Sequence, residues 1–419
     1  MARILIIGGG FAGLNAAKVF AGSKRVEVTI IDQKNYHLFQ PLLYQVAAAA
    51  LSPAEIAVPI RTIFSKYHNI KVFQGEAYQI NPKTQSVITD VGEFTYDYLI
   101  LACGVRHVYF GNDEWEVNAP GLKTIEQATE IRRRVLAGFE KAETETDKEK
   151  KAKFLTFVIV GGGSTGVELA GALGELSRFT FAKDFKNIDL KLTRIILVEA
   201  GPRILPDFSE KLSSRAQNDL ENLGIQILTS KKVTKIDAGG VNMGDERIET
   251  ATVIWAAGIQ ASRLNEQLKG ELDSMGRIIV EPDLSLKNFP EIFIAGDQAH
   301  FSHQTGKPLP GVAPVALQQG RFIAKNILKE LSGEHRDTFH YIDKGQLLAI
   351  GRNKAVLEIG RLKMGGFWAW IIWLFVHIYY LIGFKNKFMV FVQWAFSYLT
   401  YKKGARLVVD KTWRFYTKE

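Results

Sequence analysis

Twice in this chain a short apolar run ends in a glycine fingerprint that opens a helix. Residues 4–7 lead into Gly8-Gly9-Gly10-Phe11-Ala12-Gly13, and residues 157–160 lead into Gly161-Gly162-Gly163-Ser164-Thr165-Gly166. A short apolar run bounded by turn residues reads as a strand buried on both faces of a parallel sheet. In the GxGxxG pattern the first glycine makes the tight turn, the second lets a pyrophosphate approach the backbone, and the third lets helix and strand pack closely. The helix that follows presents unpaired N–H groups and the positive end of its dipole to phosphate. Each unit then returns as a strand ending in a carboxylate. Asp32 closes the strand at 26–31, 19 residues after Gly13, and Glu199 closes the strand at 194–198, 33 residues after Gly166. A strand-end carboxylate at this place accepts hydrogen bonds from ribose hydroxyls. The longer second gap is accounted for by an insertion around residues 178–192. Glu199 repels a 2′-phosphate and so favours NADH over NADPH, although Arg203 nearby could offset it.

Two fingerprints imply two dinucleotides, one to give a hydride and one to take it. The chain has one cysteine, Cys103. It therefore has no intrachain disulfide, no CxxC pair, no cysteine zinc site and no four-cysteine cluster. Electron transfer then needs an organic cofactor, most simply a flavin, and no metal site is expected. Gly296-Asp297, after the apolar strand at 292–295, places a carboxylate where a ribityl hydroxyl could be bonded, or where it could cap a turn. Pro314 reads as the first residue of a helix running to Leu331, whose first turn could stabilise negative charge on a reduced flavin ring. Small-residue strand ends also close at Gly104 and Gly258. The charge-dense stretch 144–153 reads as a solvated helix end or loop, and 239–249 as hairpin turns. His37 and Tyr44 are open between a place near a flavin and a packed core position, and Cys103 reads as packing.

These motifs, with the segment Asn35-Tyr36-His37-Leu38-Phe39-Gln40-Pro41-Leu42-Leu43-Tyr44-Gln45-Val46-Ala47, the block at 309–326 and an aromatic, basic C-terminus, resemble the type II NADH dehydrogenases over essentially the whole chain. The resemblance implies hydride transfer from NADH to FAD, then reduction of a membrane quinone without proton pumping. It places Gly8, Gly10, Gly13, Asp32, Gly296 and Asp297 on FAD, with Ala77 making a backbone contact near adenine from a strand at 72–78. Ala313 and Pro314 fall at the pyrimidine end of the flavin. Gly161, Gly163, Gly166 and Glu199 fall on NADH, and Gly258 is a further expected cofactor-binding position. Glu168 matches the family glutamate set between the nicotinamide and quinone sites, where it could anchor the carboxamide or relay protons; a carboxylate favoured by the helix dipole is the alternative. Many members carry Ala-Gln-x-Ala-x-Gln before the helix. This chain has Pro314 at the first glutamine and keeps the second as Gln318, the expected quinone-carbonyl donor. Disulfide reductases and sulfide:quinone reductases share the architecture but use cysteines that are missing here. An NADPH-linked quinone reductase and a redox-responsive binding protein stay open.

Mean hydropathy is −0.01, and the apolar excess lies at the end: five of seven tryptophans fall between Trp368 and Trp413. Residues 366–384 contain one readily charged side chain, His377, and meet the minimum length for a spanning helix. Spanning, buried-core or dimer, and interfacial readings compete. The even spread of Trp368, Trp370, Trp373, Tyr379 and Tyr380 favours a helix lying in the interface. A second helical stripe carries Phe388, Phe391, Val392, Ala395, Phe396 and Leu399, with Met389, Val390 and Trp394 off it. The net charge is +9, and residues 385–419 hold eight basic side chains (Lys385, Lys387, Lys402, Lys403, Arg406, Lys411, Arg414, Lys418) against Asp410 and Glu419. That clustering suits an anionic leaflet and argues against nucleic acid.

The expected fold is therefore α/β, with two Rossmann-like domains and a C-terminal helical membrane-anchoring region. The expected boundaries are FAD-binding 1–125 and 285–350, NADH-binding 126–284, and anchoring 351–419. Residues 1–3 run directly into the first strand, so folding is expected in the cytoplasm, with attachment to the cytoplasmic face of the membrane and homodimer formation.

Overall fold

The computed structural model describes residues 1–400 and 403–409. The chain forms two compact units: residues 1–38, 57–106 and 259–344 in the first, and 39–56, 107–258 and 345–419 in the second.

The first unit is built on a six-stranded sheet in the order Ser285–Leu286, Phe289–Ile294, Tyr98–Leu101, Ala2–Ile7, Val26–Asp32, Ile70–Gln74. All neighbours are parallel except the antiparallel Ser285–Leu286 edge. The central strands are buried, as uninterrupted Ile, Leu and Val runs require. The Phe11–Phe20 helix leaves the central strand and packs on the Ala313–Glu330 helix. The two helices meet backbone to backbone: a Cβ on Gly320 would lie 2.1 Å from the Ala12 carbonyl oxygen. Ala313 begins that helix and Pro314 is its second residue, where a missing N–H costs nothing. The continuous strand expected at 72–78 is instead two. Ile70–Gln74 belongs to the parallel sheet, and Ala77–Asn81 starts an antiparallel sheet with Ser86–Thr89 and Gly92–Thr95. The break falls where Gly75 N–H donates to the Asp32 carbonyl and Glu76 N–H to Asp90 Oδ1.

The second unit repeats the plan. A four-stranded parallel sheet runs Ile225–Leu228, Arg194–Val198, Thr156–Val160, Thr252–Trp255. Helix Ser164–Glu175 follows the central strand. The charge-dense stretch divides between the end of helix Ile125–Thr144 and a solvated helix Lys148–Phe154, capped by Asp147. Residues 239–249 lie within a three-stranded antiparallel meander. A second meander, Gln346–Gly351, Lys354–Ile359 and Leu362–Gly365, leads into helices Phe367–Tyr380 and Phe384–Thr400.

The units are not cut at the expected boundaries. Residues 39–56 pack with the second unit, and the first unit resumes at Ile259 rather than at 285. The apolar stretch 366–384 is not one helix: it stops at Tyr380, and Gly383 takes φ +87° before the next helix begins. Fourteen helical residues rise about 21 Å, short of the ~30 Å hydrocarbon layer. Among the described residues no helix is long and apolar enough to cross a membrane.

Candidate functional site

The two glycine loops are the same device built twice. Gly8 has φ +106° and Gly161 has φ +112°, conformations that favour glycine. A Cβ on Gly13 would lie 1.9 Å from the Gly8 carbonyl oxygen, and one on Gly166 would lie 1.9 Å from that of Gly161. These third glycines let each helix start against its own strand. The second glycines face open space: nothing lies within 4 Å of a Cβ on Gly163, and only the Ala102 oxygen lies at 4.0 Å from one on Gly10. Each loop therefore keeps a cradle where a pyrophosphate can reach the backbone.

The carboxylates complete the device. Asp32 Oδ2 accepts from Gly9 N–H at 2.6 Å and Oδ1 from Lys34 N–H at 2.7 Å. Glu199 Oε2 accepts from Gly162 N–H at 2.6 Å and Oε1 from Gly201 N–H at 2.6 Å. The 33-residue gap before Glu199 holds the Leu176–Thr180, Phe181–Lys183 and Leu190–Leu192 turns. Burial pushes the Asp32 carboxyl up, while the Lys34 and Gly9 amides pull it down. Each carboxylate oxygen keeps lone pairs for a ribose hydroxyl. His37 supports the first loop. Its Nδ1 lies 3.0 Å from the Gly9 carbonyl oxygen, and a carbonyl only accepts, so Nδ1 carries the hydrogen. Burial pushes this imidazole down to about 4 and keeps it neutral. His37 is thus a scaffold for the loop, a role its sequence did not reveal.

At the far end of the first sheet, Gly296 has φ +75°, and its N–H donates to Gln319 Oε1 at 2.7 Å. Asp297 makes no hydrogen bond or ion pair among the described residues, unlike Asp32 and Glu199, so its carboxylate remains available for a ribityl hydroxyl. Gln318 is already engaged. It donates to the Ile342 carbonyl at 2.9 Å and accepts from Ile342 N–H at 3.0 Å, which leaves one N–H. The buried neighbour Gln319 escaped the sequence reading, and only helical register sets it inward. Ala77 opens its antiparallel strand, and Gly258 has φ +75° just after Thr252–Trp255. The Cys103 thiol lies 3.6 Å from the Ile7 carbonyl oxygen, and burial pushes it up to about 12. It is an inert packed thiol.

Glu168 lies in the second turn of helix Ser164–Glu175. The helix meets strand Gln346–Gly351 at close range, since a Cβ on Gly171 would lie 1.8 Å from the Ile350 carbonyl oxygen. That contact sets Glu168 beside Ala349. Burial raises its carboxyl well above the ordinary range, and the Ala349 amide only partly opposes this. Tyr44 is buried, and the Glu168 charge adds to the burial that raises its hydroxyl.

The second C-terminal helix turns its phenylalanine stripe outward. Val390 and Trp394, together with Asn386, are the buried residues, while Phe388, Phe391, Val392, Phe396 and Leu399 are exposed. Phe384 and Leu399 are 86% and 84% exposed. The basic residues also divide. Lys403 turns inward, its Nζ donating to the Ala172 carbonyl at 3.0 Å, and burial lowers its pKa. Arg406 pairs with Asp184, and Lys387 Nζ donates to the Tyr379 carbonyl at 2.8 Å. Lys402, Asp410, Lys411, Trp413, Arg414, Lys418 and Glu419 lie outside the described residues. Among the described residues no cluster of three or more His, Cys, Asp or Glu suits a metal ion.

Residues 2–320 match the pyridine nucleotide-disulphide oxidoreductase family. The chain is 41% identical to the type II NADH:quinone oxidoreductase Ndh of Mycobacterium tuberculosis, over 98% of this chain and 90% of that protein. It is 39% identical to NdhA of the same organism, with the same coverage of each. Its fold superposes on NDH2 from Plasmodium falciparum in complex with NADH with a TM-score of 0.87 and 21% identity, covering 98% of this chain and 100% of that one. The sulfide:quinone oxidoreductase of Aquifex aeolicus shares the fold more distantly, with a TM-score of 0.74 and 18% identity over 92% of each chain. With its two glycine clasps and no cysteine pair, the chain belongs to the type II NADH:quinone oxidoreductases.

Proposed function

We propose a division of labour in which the first unit holds FAD, the second holds NADH, and the C-terminal helices rest on a membrane that supplies the quinone. The chain is an FAD-dependent NADH:quinone oxidoreductase that pumps no protons. The observation that carries the division is the repeated clasp, Asp32 on Gly9 and Glu199 on Gly162, each below an open glycine cradle. When bound, FAD supplies a ring that takes hydride from NADH and passes two electrons onward. Gly8, Gly10, Gly13 and Asp32 hold its adenosine and pyrophosphate end, with Ala77 near adenine. Gly296 and Asp297 hold the ribityl, and Ala313 and Pro314 border the pyrimidine. Gly161, Gly163, Gly166, Glu199 and Gly258 hold NADH. Glu168, whose carboxyl is raised well above the ordinary range by burial, can give a hydrogen bond to the carboxamide or a proton to the reaction when it is protonated. Gln318 has one N–H left for a quinone carbonyl.

The exposed aromatic face of helices Phe367–Tyr380 and Phe384–Thr400 supports interfacial attachment at the cytoplasmic face, with part of it covered by a second copy in a homodimer. The protein with FAD bound should oxidise NADH when a short-chain quinone is added, with kcat/KM at least tenfold above that for NADPH. Glu199→Gln should narrow this ratio. A wild-type preference for NADPH would overturn the assignment of Glu199.

A further inference from the structure

A directional chain of hydrogen bonds ends on Tyr44. An indole N–H only donates, and Trp394 Nε1 gives its hydrogen to Gln45 Oε1 at 2.8 Å. That fixes the Gln45 amide, whose Nε2 is turned to Tyr44 and donates to Tyr44 Oη at 3.2 Å. Tyr44 Oη has therefore accepted a bond, and its own proton points elsewhere. Among the described residues no acceptor takes it. The ring is 7% exposed, so bulk water is a poor substitute. A buried donor left without an acceptor is costly, a reason to look for the acceptor in a ligand.

The structure assigns Tyr44 as the hydrogen-bond donor to a quinone carbonyl, aimed by the positioning residues Gln45 and Trp394. This rests on the quinone-reducing reading above. Two observations favour a quinone over the nicotinamide carboxamide. The chain starts on helix Phe384–Thr400, whose opposite face is the exposed apolar surface. Trp394 itself packs in a buried aromatic group with Trp373, at 5.1 Å between ring centroids, a setting suited to a flat apolar headgroup. A quinone carbonyl has lone pairs and no hydrogen, so it can accept the Tyr44 O–H. Burial raises the Tyr44 hydroxyl further above its ordinary value, so it stays a donor throughout the working pH range.

The test uses full-length enzyme with FAD bound and decylbenzoquinone as probe, with the two half-reactions followed separately. Tyr44→Phe keeps the ring and removes the hydroxyl. It should raise the KM for the quinone about tenfold, leave NADH-driven flavin bleaching at the wild-type rate, and weaken binding of the quinone to oxidised enzyme by a similar factor in calorimetry. Trp394→Phe should shift the same KM in the same direction by about threefold, and the double variant should match Tyr44→Phe alone. A Tyr44→Phe enzyme with wild-type quinone KM and affinity would overturn the assignment, as would independent, multiplying effects of the two substitutions. Slowed bleaching by NADH with normal quinone KM would move the donor to the carboxamide and also overturn it. Wild-type enzyme that bleaches but is not reoxidised by the quinone would defeat the quinone-reducing reading itself.

Discussion

At the scale of single residues, the same side-chain type does different work according to its neighbours. Asp32 and Glu199 each tie down a middle glycine, whereas Asp297 keeps its carboxylate uncommitted. At Glu168, burial raises the carboxyl well above the ordinary range. The folded chain holds a proton on Glu168 that the unfolded chain releases near pH 4.3. The stability this group contributes is complete below the unfolded value and is lost as pH rises through the raised folded one. Glu168→Gln removes that titration. In thermal denaturation from about pH 5 to about pH 9, the wild type should fall progressively behind the variant, by a few degrees at the alkaline end. A gap that stays constant with pH would contradict the buried, protonated carboxyl. The carboxylates at strand ends were legible because spacing along one strand–helix–strand unit fixes them. Tyr44, Gln45 and Trp394 were not, since their link spans 349 residues of sequence and depends on tertiary packing.

At the scale of elements, the strands and helices of the two fingerprint units were readable because apolar runs and glycines determine them locally. The failures came where a distant partner decides. The strand at 72–78 breaks because Asp32 and Asp90 claim the amides of Gly75 and Glu76. In the second C-terminal helix the phenylalanine stripe lies outside, and the burial of Trp394 on Gln45 is a contact that helical spacing alone does not give. Close backbone approaches give two predictions. Gly13→Ala places a methyl 1.9 Å from the Gly8 oxygen and should reduce flavin retained through gel filtration by more than tenfold. Gly166→Ala should leave flavin in place and weaken NADH binding by more than tenfold in a fluorescence titration. Flavin loss from both variants alike would contradict the separate assignment of the two loops. Gly171→Ala forces helix Ser164–Glu175 away from Ile350 and should cost about 2–3 kcal/mol in denaturant unfolding. Unchanged stability would show that the strand can retreat freely.

At the scale of the whole molecule, excess charge and excess apolarity had pointed to one membrane-facing tail. Its apolar part lies on the surface, in exposed rings such as Phe384, Phe388 and Phe391. Among the described residues its basic part is thinned, because Lys403 is buried on Ala172 and Arg406 is paired with Asp184. Apolar contact should therefore outweigh charge in membrane attachment. Each phenylalanine contributes about 1.5–3 kcal/mol when buried in lipid. Replacing Phe384, Phe388 and Phe391 with glutamate should lower vesicle binding more than hundredfold while turnover with a water-soluble quinone persists. Binding abolished by salt alone would contradict that ranking. The central claim is that NADH and quinone meet the enzyme through one bound flavin, and anaerobic stopped-flow spectroscopy tests it most directly. NADH should bleach the flavin band in the absence of quinone, and a second mix with quinone should restore it with one quinone consumed per flavin. A band that NADH leaves unbleached, or that stays bleached after quinone is added, would contradict the account.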